Sequence, residues 1–382
     1  MYNSYTFENT IAIPNSLRVV LINKSDTITP IQLILLSMTA IGLKNHVFAI
    51  SPLVEVSGRD AWLAVLFTLL LVLLWIPLLL YIQNQTNRQP LLVWLSSIIG
   101  SVPTKIIAIT FICYLILMSS ISLRETTIWT NIAYLPTTPP VILAIAFLGA
   151  CCLMVKANLR ALNMLNVFLL FFIVILGFFV AITNIQHKNF YLLLPVLENG
   201  YKPVFDGMIY QASGMTELFV FLLLQHKVNV PLRFRHFFAA ALILTLLTMG
   251  PLIGAIIEFG PTEASLQRFP PFEQWTLVSI GRFIEHLDFL SIYQWLAGVF
   301  IRLCLLLLLI KDLFTLNTTI NWILFFTSTA IVILTLSPIA DFQFHYLLKT
   351  YLLPATFWFF FSSSIFLTIV AVIQSIRKRR AA

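Results

Sequence analysis

The chain has 382 residues, of which 59% are hydrophobic and only 10% are charged. A soluble domain holds about 45–50% apolar and about 25% charged residues, so this composition predicts an integral membrane protein and excludes a soluble catalytic domain. The formal net charge is +8, and we attribute it to basic residues beside membrane spans rather than to a nucleic-acid partner.

The chain begins with a polar arm, residues 1–29, which has no apolar core or cleavage site of a signal peptide. A membrane-spanning helix needs about 20 mostly apolar residues. Ten stretches meet this need, and we predict spans at about 30–54, 60–83, 103–123, 139–157, 161–184, 203–225, 234–257, 289–310, 320–337 and 354–376. They predict one all-α integral membrane domain over residues 30–376, followed by a basic tail at 377–382.

The Lys and Arg residues of the short loops favour one orientation. With the N-terminus inside, about fourteen of them lie on the inner side and about seven on the outer side. This bias predicts that both termini are cytoplasmic. The longest outer loop, about 258–288, is either a docking surface or a solvated loop.

The first and the sixth span contain matching interruptions. The first opens at Pro30 and is interrupted around Ile41-Gly42-Leu43-Lys44-Asn45; the sixth opens at Pro203 and is interrupted around Gln211-Ala212-Ser213-Gly214. Paired interruptions in two five-span halves, here about 30–184 and 203–376, are typical of a 5+5 inverted repeat with broken helices 1 and 6. Free N–H groups and carbonyls at such breaks suit the carboxylate and ammonium groups of an amino acid. Alternatively, the glycines only allow close helix packing.

Three ionisable residues lie within spans, where they are costly and usually face a cavity or a partner. They are Lys44, Glu217 and Arg302. Glu217 either carries function or forms an internal ion pair with Arg302 or Lys44, and Lys44 could instead extend to the membrane surface. As a fixed cation, Arg302 could replace the sodium ion of a sodium-coupled carrier. Tyr114 places a hydroxyl in mid-span, either at a pocket or in a structural hydrogen bond.

The sequence contains no catalytic constellation. Its six histidines are scattered without metal-ligand spacing, and no phosphate-binding glycine loop is present. We therefore predict no enzymatic activity, no metal site and no cofactor.

Four stretches give the chain a resemblance to a known family. Gln32 is followed by Gly58-Arg59-Asp60-Ala61-Trp62, and Leu194–Pro203 leads into the sixth span. Phe269-Pro270 is followed by Ile280–Asp288, and then by Trp295 and Phe300-Ile301-Arg302. In this order and spacing the chain resembles the B subunit of bacterial spore germinant receptors, the spore germination permeases of the amino acid–polyamine–organocation superfamily.

The resemblance implies a leucine-transporter-like fold and an amino-acid pocket between spans one, three, six and eight. The residues that it places at this pocket are Ile41, Gly42, Leu43, Lys44, Tyr114, Met118, Gln211, Ala212, Ser213, Gly214, Glu217, Gly298 and Arg302. One departure concerns the first span, where the family usually has a second glycine close after the first. Here Gly42-Leu43-Lys44 lacks that glycine, and Lys44 could narrow the pocket.

The function implied is that of a germinant-sensing subunit in the spore inner membrane. It would bind a small nutrient and signal to the receptor's A and C subunits, with membrane lipid as its other partner. A secondary amino-acid transporter, sodium-independent or proton-coupled, is the alternative. A membrane scaffold with a closed pocket is a third.

Overall fold

A computed structural model describes residues 26–281, 286–314 and 320–381. Their regular structure is helical, apart from one isolated parallel bridge between Ile28 and Val228. Most of the predicted N-terminal arm lies outside the described residues, as do residues 282–285 of the third stretch that carries the resemblance.

The described chain forms α1 (Pro30–Ala40), α2 (Ile50–Ser57), α3 (Ala61–Thr86), α4 (Leu91–Ile99), α5 (Ser101–Ala133), α6 (Pro140–Lys156), α7 (Leu159–Thr183), α8 (Lys202–Met215), α9 (Val220–Leu224), α10 (Phe234–Phe259), α11 (Pro261–Leu266), α12 (Pro270–Thr276), α13 (Leu290–Leu313), α14 (Ile320–Thr335), α15 (Asp341–Leu347) and α16 (Leu353–Ala381). The first of them begins with a capping box, in which Thr29 and Gln32 bond each other's backbone N–H groups. Residues 377–381 of the predicted basic tail continue α16 as helix.

Within the part of the chain that the structure describes, seven helical segments are long and apolar enough to cross a membrane. They are Pro30–Phe48, Ile50–Thr86, Ser101–Ala133, Leu159–His187, Lys202–Lys227, Phe234–Phe259 and Asp341–Arg380. Two shorter apolar helices, α6 and α14, and the 24-residue α13 occupy the positions of the other three predicted spans. The chain is therefore an all-helical, multi-pass membrane protein; ten spans and an inverted repeat stay predictions.

The centre of the bundle is formed by α8, α9 and α13. In the most apolar window of Lys202–Lys227, 94% of the residues are buried inside the protein. Between Ala297 and Ile310, α13 is buried at nearly every position, which is expected of a helix surrounded by others. By contrast, only 17% of the corresponding window of Leu159–His187 is buried, so α7 presents most of its surface to the surroundings.

The first predicted interruption coincides with a change in helix type. The α-helix ends at Ala40, and Lys44–Phe48 forms a π-helical turn before α2 begins at Ile50. Single π-helical turns often occur at functional sites because they redirect backbone groups and side chains. Here the turn aims Lys44 at the centre of the bundle.

The predicted break at Gln211-Ala212-Ser213-Gly214 was wrong in its position. These residues belong to the regular α8, and the irregular geometry is a 3₁₀ turn at Thr216–Phe219, just beyond them. The physical reason lies in Gly214, whose missing side chain makes room for the amide of Asn45. That glycine allows two helices to approach closely, as in the packing alternative, and does not unwind the backbone.

Candidate functional site

The three ionisable residues of the spans meet at one buried cluster. The Glu217 carboxylate accepts hydrogen bonds from the Arg302 guanidinium at 2.7 and 3.0 Å. The Lys44 ammonium lies 3.0 Å from Oε1 of the same carboxylate. The side chains are only 6%, 2% and 3% exposed for Lys44, Glu217 and Arg302. The prediction of an internal ion pair is confirmed, and extension of Lys44 to the membrane surface is wrong.

Irregular turns and a central helix position these charges. Glu217 lies on the 3₁₀ turn after α8, and Lys44 begins the π-helical turn after α1. Arg302 projects from the middle of α13. The sequence places a carboxylate and a cation where two helices change geometry, so the cluster joins both irregular turns to α13.

Each cation also donates to a neighbouring helix. Arg302 donates from Nε to Ser122 Oγ at 3.0 Å and from a terminal nitrogen to the Ala40 carbonyl at 2.6 Å. Lys44 donates to the Ser213 carbonyl at 3.1 Å. Buried charges are tolerated when they are paired and hydrogen-bonded in this way. With two cations and one carboxylate, the cluster carries a formal charge of +1.

A cavity of about 20 Å³ adjoins the cluster. Its lining is contributed by Lys44, Phe48, Met118, Ile121, Ser122, Arg302, Leu348, Leu352, Leu353 and Thr356. A cavity needs about 10–15 Å³ to hold one water molecule. This cavity is therefore too small for an amino acid in this conformation.

Tyr114 lies at the edge of this site rather than in the cavity lining. Its hydroxyl donates to Thr356 Oγ1 at 2.6 Å, and its ring stacks on Phe359 with centroids 4.0 Å apart. The structural hydrogen bond weighed for this residue is confirmed. Through Thr356, Tyr114 supports the wall that α16 contributes.

Three predicted pocket residues face away from the cluster. Gly42, Leu43 and Gly298 line a second, larger cavity of about 570 Å³. Leu43 packs on Gly298, with its Cδ1 only 3.0 Å from the place that a Cβ at residue 298 would occupy. Ile41 is 2% exposed in the apolar core. Residues 42–44 are divided between the two cavities because consecutive residues of a helix point in different directions.

Two buried amides near the cluster have no hydrogen-bond partner among the described residues. They belong to Asn45, which rests on Gly214, and to Gln211, one helical turn before Gly214. Both side chains are fully buried. Buried amides are normally satisfied, so each unpaired one needs an explanation such as water or a ligand. Ala212 and Ser213 are buried with them, and their carbonyls accept from Thr216 and Lys44.

Sequence reasoning missed Ser122 and Thr356. A signal for Ser122 was available: Tyr114, Met118 and Ser122 recur every four residues and therefore share one face of α5. Nothing in the sequence connects Thr356 with that face. It reaches the site only because α16 packs beside α5.

An aromatic cluster covers one side of the site. Trp295 stacks on Trp129 with ring centroids 4.3 Å apart, and Phe269 and Phe48 meet Trp295 edge-on. The indole of Trp295 donates to Thr126 at 3.0 Å. Because Phe48 also lines the small cavity, this aromatic cluster borders the site.

Similar sequences occur among proteins of bacterial spores. The sequence model of a family described as Spore germination protein matches residues 27–343. The chain belongs to this family. It is 37% identical over 350 residues to Spore germination protein XB of Bacillus anthracis, covering 91% of this chain and 98% of that one. It is 27% identical over 270 residues to Putative spore germination protein YfkT of Bacillus subtilis strain 168, covering 69% and 72%.

Two of the stretches that carried the resemblance touch each other in this chain. The Asp60 carboxylate accepts the Leu197 N–H at 3.0 Å, and Arg59 lies 3.2 Å from the Glu198 carboxylate. Gly58 has a φ of 55°, which favours glycine, at the turn between α2 and α3. These stretches therefore tie that turn to the segment before α8, away from the charge cluster.

Proposed function

We propose that this chain is the nutrient-sensing membrane subunit of a spore germination receptor. A small nutrient, most naturally an amino acid, binds beside the cluster of Lys44, Glu217 and Arg302. The observation that carries this proposal is the composition of the cluster, which holds two buried cations for one carboxylate. A buried charge that lacks a counter-charge is costly, so the carboxylate of a ligand would complement the remaining positive charge.

The neighbouring groups suit the rest of an amino acid. The Glu217 carboxylate would accept from the ligand's ammonium group. The unpaired amides of Asn45 and Gln211 offer both donors and acceptors. Membership in the spore germination protein family supports germination as the process that this binding serves.

Binding must enlarge the site, because the cavity beside the cluster holds about one water molecule. The wall to be moved includes Met118 of α5 and Leu352, Leu353 and Thr356 around the start of α16. A ligand that binds only the enlarged state shifts the protein toward that state. We propose that the receptor's A and C subunits respond to this shift at the spore inner membrane, with both termini of the present chain in the cytoplasm.

The test is amino-acid binding to the purified full-length chain in detergent, measured calorimetrically. A panel of amino acids is compared with the corresponding amino acid amides, which lack the carboxylate. We expect saturable binding of an amino acid and not of its amide, and loss of binding in Lys44→Gln. Lys202→Gln is the matched control, because that lysine is 85% exposed on α8 and far from the cluster.

Three results would contradict the proposal. Failure of every amino acid to bind would favour the scaffold function. Substrate uptake into proteoliposomes would favour the transporter, and a sodium requirement there would exclude Arg302 as a substitute for the ion. An unchanged nutrient response in spores that lack this protein and its paralogues would exclude the sensor role.

A further inference from the structure

A second cavity lies on the other side of the π-helical turn from the charge cluster. Its volume is about 570 Å³, within the range of about 300–1,000 Å³ that is usual for ligand pockets. It is enclosed by α1, α7, α10, α12 and α13. Gly42, Leu43 and Gly298 are part of its lining, so the cavity extends to the turn that begins at Lys44.

The mouth of this cavity is continuous with the outer surface of the helix bundle. Phe178 of α7 and Leu246 of α10 line the cavity and are 66% and 61% exposed. Gly177 and Gly250, also in the lining, are exposed on the same two helices. Because α7 and α10 are apolar helices that cross the membrane, the medium that meets these residues is the hydrocarbon of the bilayer.

The lining is chemically suited to a hydrocarbon chain. Most of it is apolar, and its two glutamines already bond within the protein. Gln294 accepts from the Trp275 indole at 2.9 Å and donates to a carbonyl of α7 at 2.9 Å. Gln274 donates to the Pro251 carbonyl at 2.9 Å. An occupant therefore gains dispersion contacts without having to supply hydrogen bonds to these amides.

The charged residues of the lining lie at one end of it. Lys188 follows α7, and Glu258 is next to the last residue of α10; their charged atoms are 3.8 Å apart. This is where a helix reaches the polar surface of the membrane. The cavity thus has a charged end at the membrane surface and an apolar part that extends inward to α1. This division into a charged and an apolar part matches that of a lipid molecule.

We propose that an acyl chain of a bilayer phospholipid enters between α7 and α10 and occupies this cavity. It lies against Gly42, Leu43 and Val47, on the face of the turn opposite to the Lys44 side chain. There it packs against the side of the π-helical turn that faces away from the charge cluster. The lipid composition of the membrane therefore influences the geometry of that cluster. This function is independent of which nutrient the chain binds.

The experiment uses the full-length chain in vesicles of phosphatidylglycerol whose acyl chain carries a photoreactive diazirine. After illumination, labelled residues are mapped by mass spectrometry. Leu43 and Val47 are 8% and 4% exposed, so a lipid on the outer surface cannot reach them. We expect label on residues 42–47. Label restricted to exposed positions such as Phe171 would overturn the proposal.

Cavity-filling variants test the route of entry. A first side-chain carbon at Gly250 meets no atom within 4 Å, and one at Gly177 meets only Gln294 at 3.8 Å. Gly250→Leu and Gly177→Leu, from opposite walls, should each lose the label on residues 42–47 while exposed positions remain labelled. Persistence of that label in both folded variants would overturn the proposal.

Gly149→Leu is the matched control. Gly149 is exposed on α6, outside the cavity lining, and a side chain there also meets open space. The control should label residues 42–47 like the unaltered chain. Size-exclusion chromatography identifies any variant that fails to fold, and the pattern in the unaltered chain decides occupancy even if both cavity variants fail.

Discussion

The carboxylate of Glu217 and the guanidinium of Arg302 form a bidentate ion pair in the interior of the bundle, with nitrogen–oxygen distances of 2.7 and 3.0 Å. Glu217 and Arg302 are 85 positions apart in the chain. Bidentate arginine–carboxylate pairs are among the strongest hydrogen-bonded contacts in proteins. This pair joins α13 to the 3₁₀ turn after α8. Lys44 pairs with the same carboxylate and so connects the turn after α1 to them.

Removal of the Glu217 carboxylate should strongly destabilise the fold. Glu217→Ala leaves two buried cations without a counter-charge, and breaking a buried pair in this way costs about 3–5 kcal/mol. The measurement is denaturant-induced unfolding in detergent micelles. Asp206→Ala is the control, because its pair with Lys202 is exposed and should contribute less than about 1 kcal/mol. Equal effects of the two changes would contradict the central role of the cluster.

The two cations should differ in their contribution to stability. Arg302→Met removes the bidentate pair and the bonds to Ser122 and Ala40, and should cost about 3–5 kcal/mol. Lys44→Met leaves the bidentate pair intact and removes the excess charge, and should cost about 1–2 kcal/mol. Unfolding of both variants under identical conditions measures the difference. A larger loss for Lys44→Met would show that the lysine and not the arginine holds the carboxylate.

A methyl group at Gly214 should be incompatible with Asn45. The amide of Asn45 occupies the place of a side chain on Gly214, so Gly214→Ala overpacks the contact at a cost of about 1–3 kcal/mol. The double variant Asn45→Ala/Gly214→Ala should recover most of that loss, because the smaller residue leaves room. A double-mutant cycle of unfolding free energies measures the coupling. Additive effects would contradict direct contact.

Arg124 should require its guanidinium and not only its charge. It donates to the carbonyls of Thr335, Ser337 and Ile339 at the end of α14, at 2.5–3.1 Å. A lysine cannot present the same planar set of donors, so Arg124→Lys should cost about 1–3 kcal/mol.

The specific readout for Arg124→Lys is hydrogen exchange of residues 335–340, which should become faster. Arg160→Lys, an exposed arginine on α7, is the matched control and should leave that exchange unchanged. Unaltered exchange in Arg124→Lys would mean that the loop is held by other contacts.

The positions of several helices followed from the sequence, whereas α5 (Ser101–Ala133) extends ten residues past the end of the predicted span at 103–123. The predicted spans at 161–184 and 234–257 agree within two residues with α7 (Leu159–Thr183) and α10 (Phe234–Phe259). A long apolar run in a bilayer must satisfy its backbone groups internally, and the helix is the form in which a single segment can do so. The sequence also suggested, as one alternative, that the charges pair inside the bundle, because a charge in hydrocarbon needs a partner.

The break in the sixth span was misplaced because glycine has two uses that a sequence does not separate. Gly214 could interrupt a helix or admit a neighbour, and the outcome depends on Asn45, which comes from the distant first span. The unpaired amide of Gln211 is another case. A glutamine in an apolar helix is visible in the sequence, whereas its isolation from partners among the described residues is a property of the assembled bundle.

Hydropathy and residue type alone identified a helical membrane protein with Lys44, Glu217 and Arg302 as its unusual residues, because the bilayer penalises polar groups wherever they occur along the chain. Only the packing of the helices decided that these three meet, that Ser122 and Thr356 border them, and that Gly42 and Gly298 line a different cavity. The reason is geometric: periodicity defines the faces of one helix, whereas the neighbour that each face meets depends on contacts between distant parts of the chain.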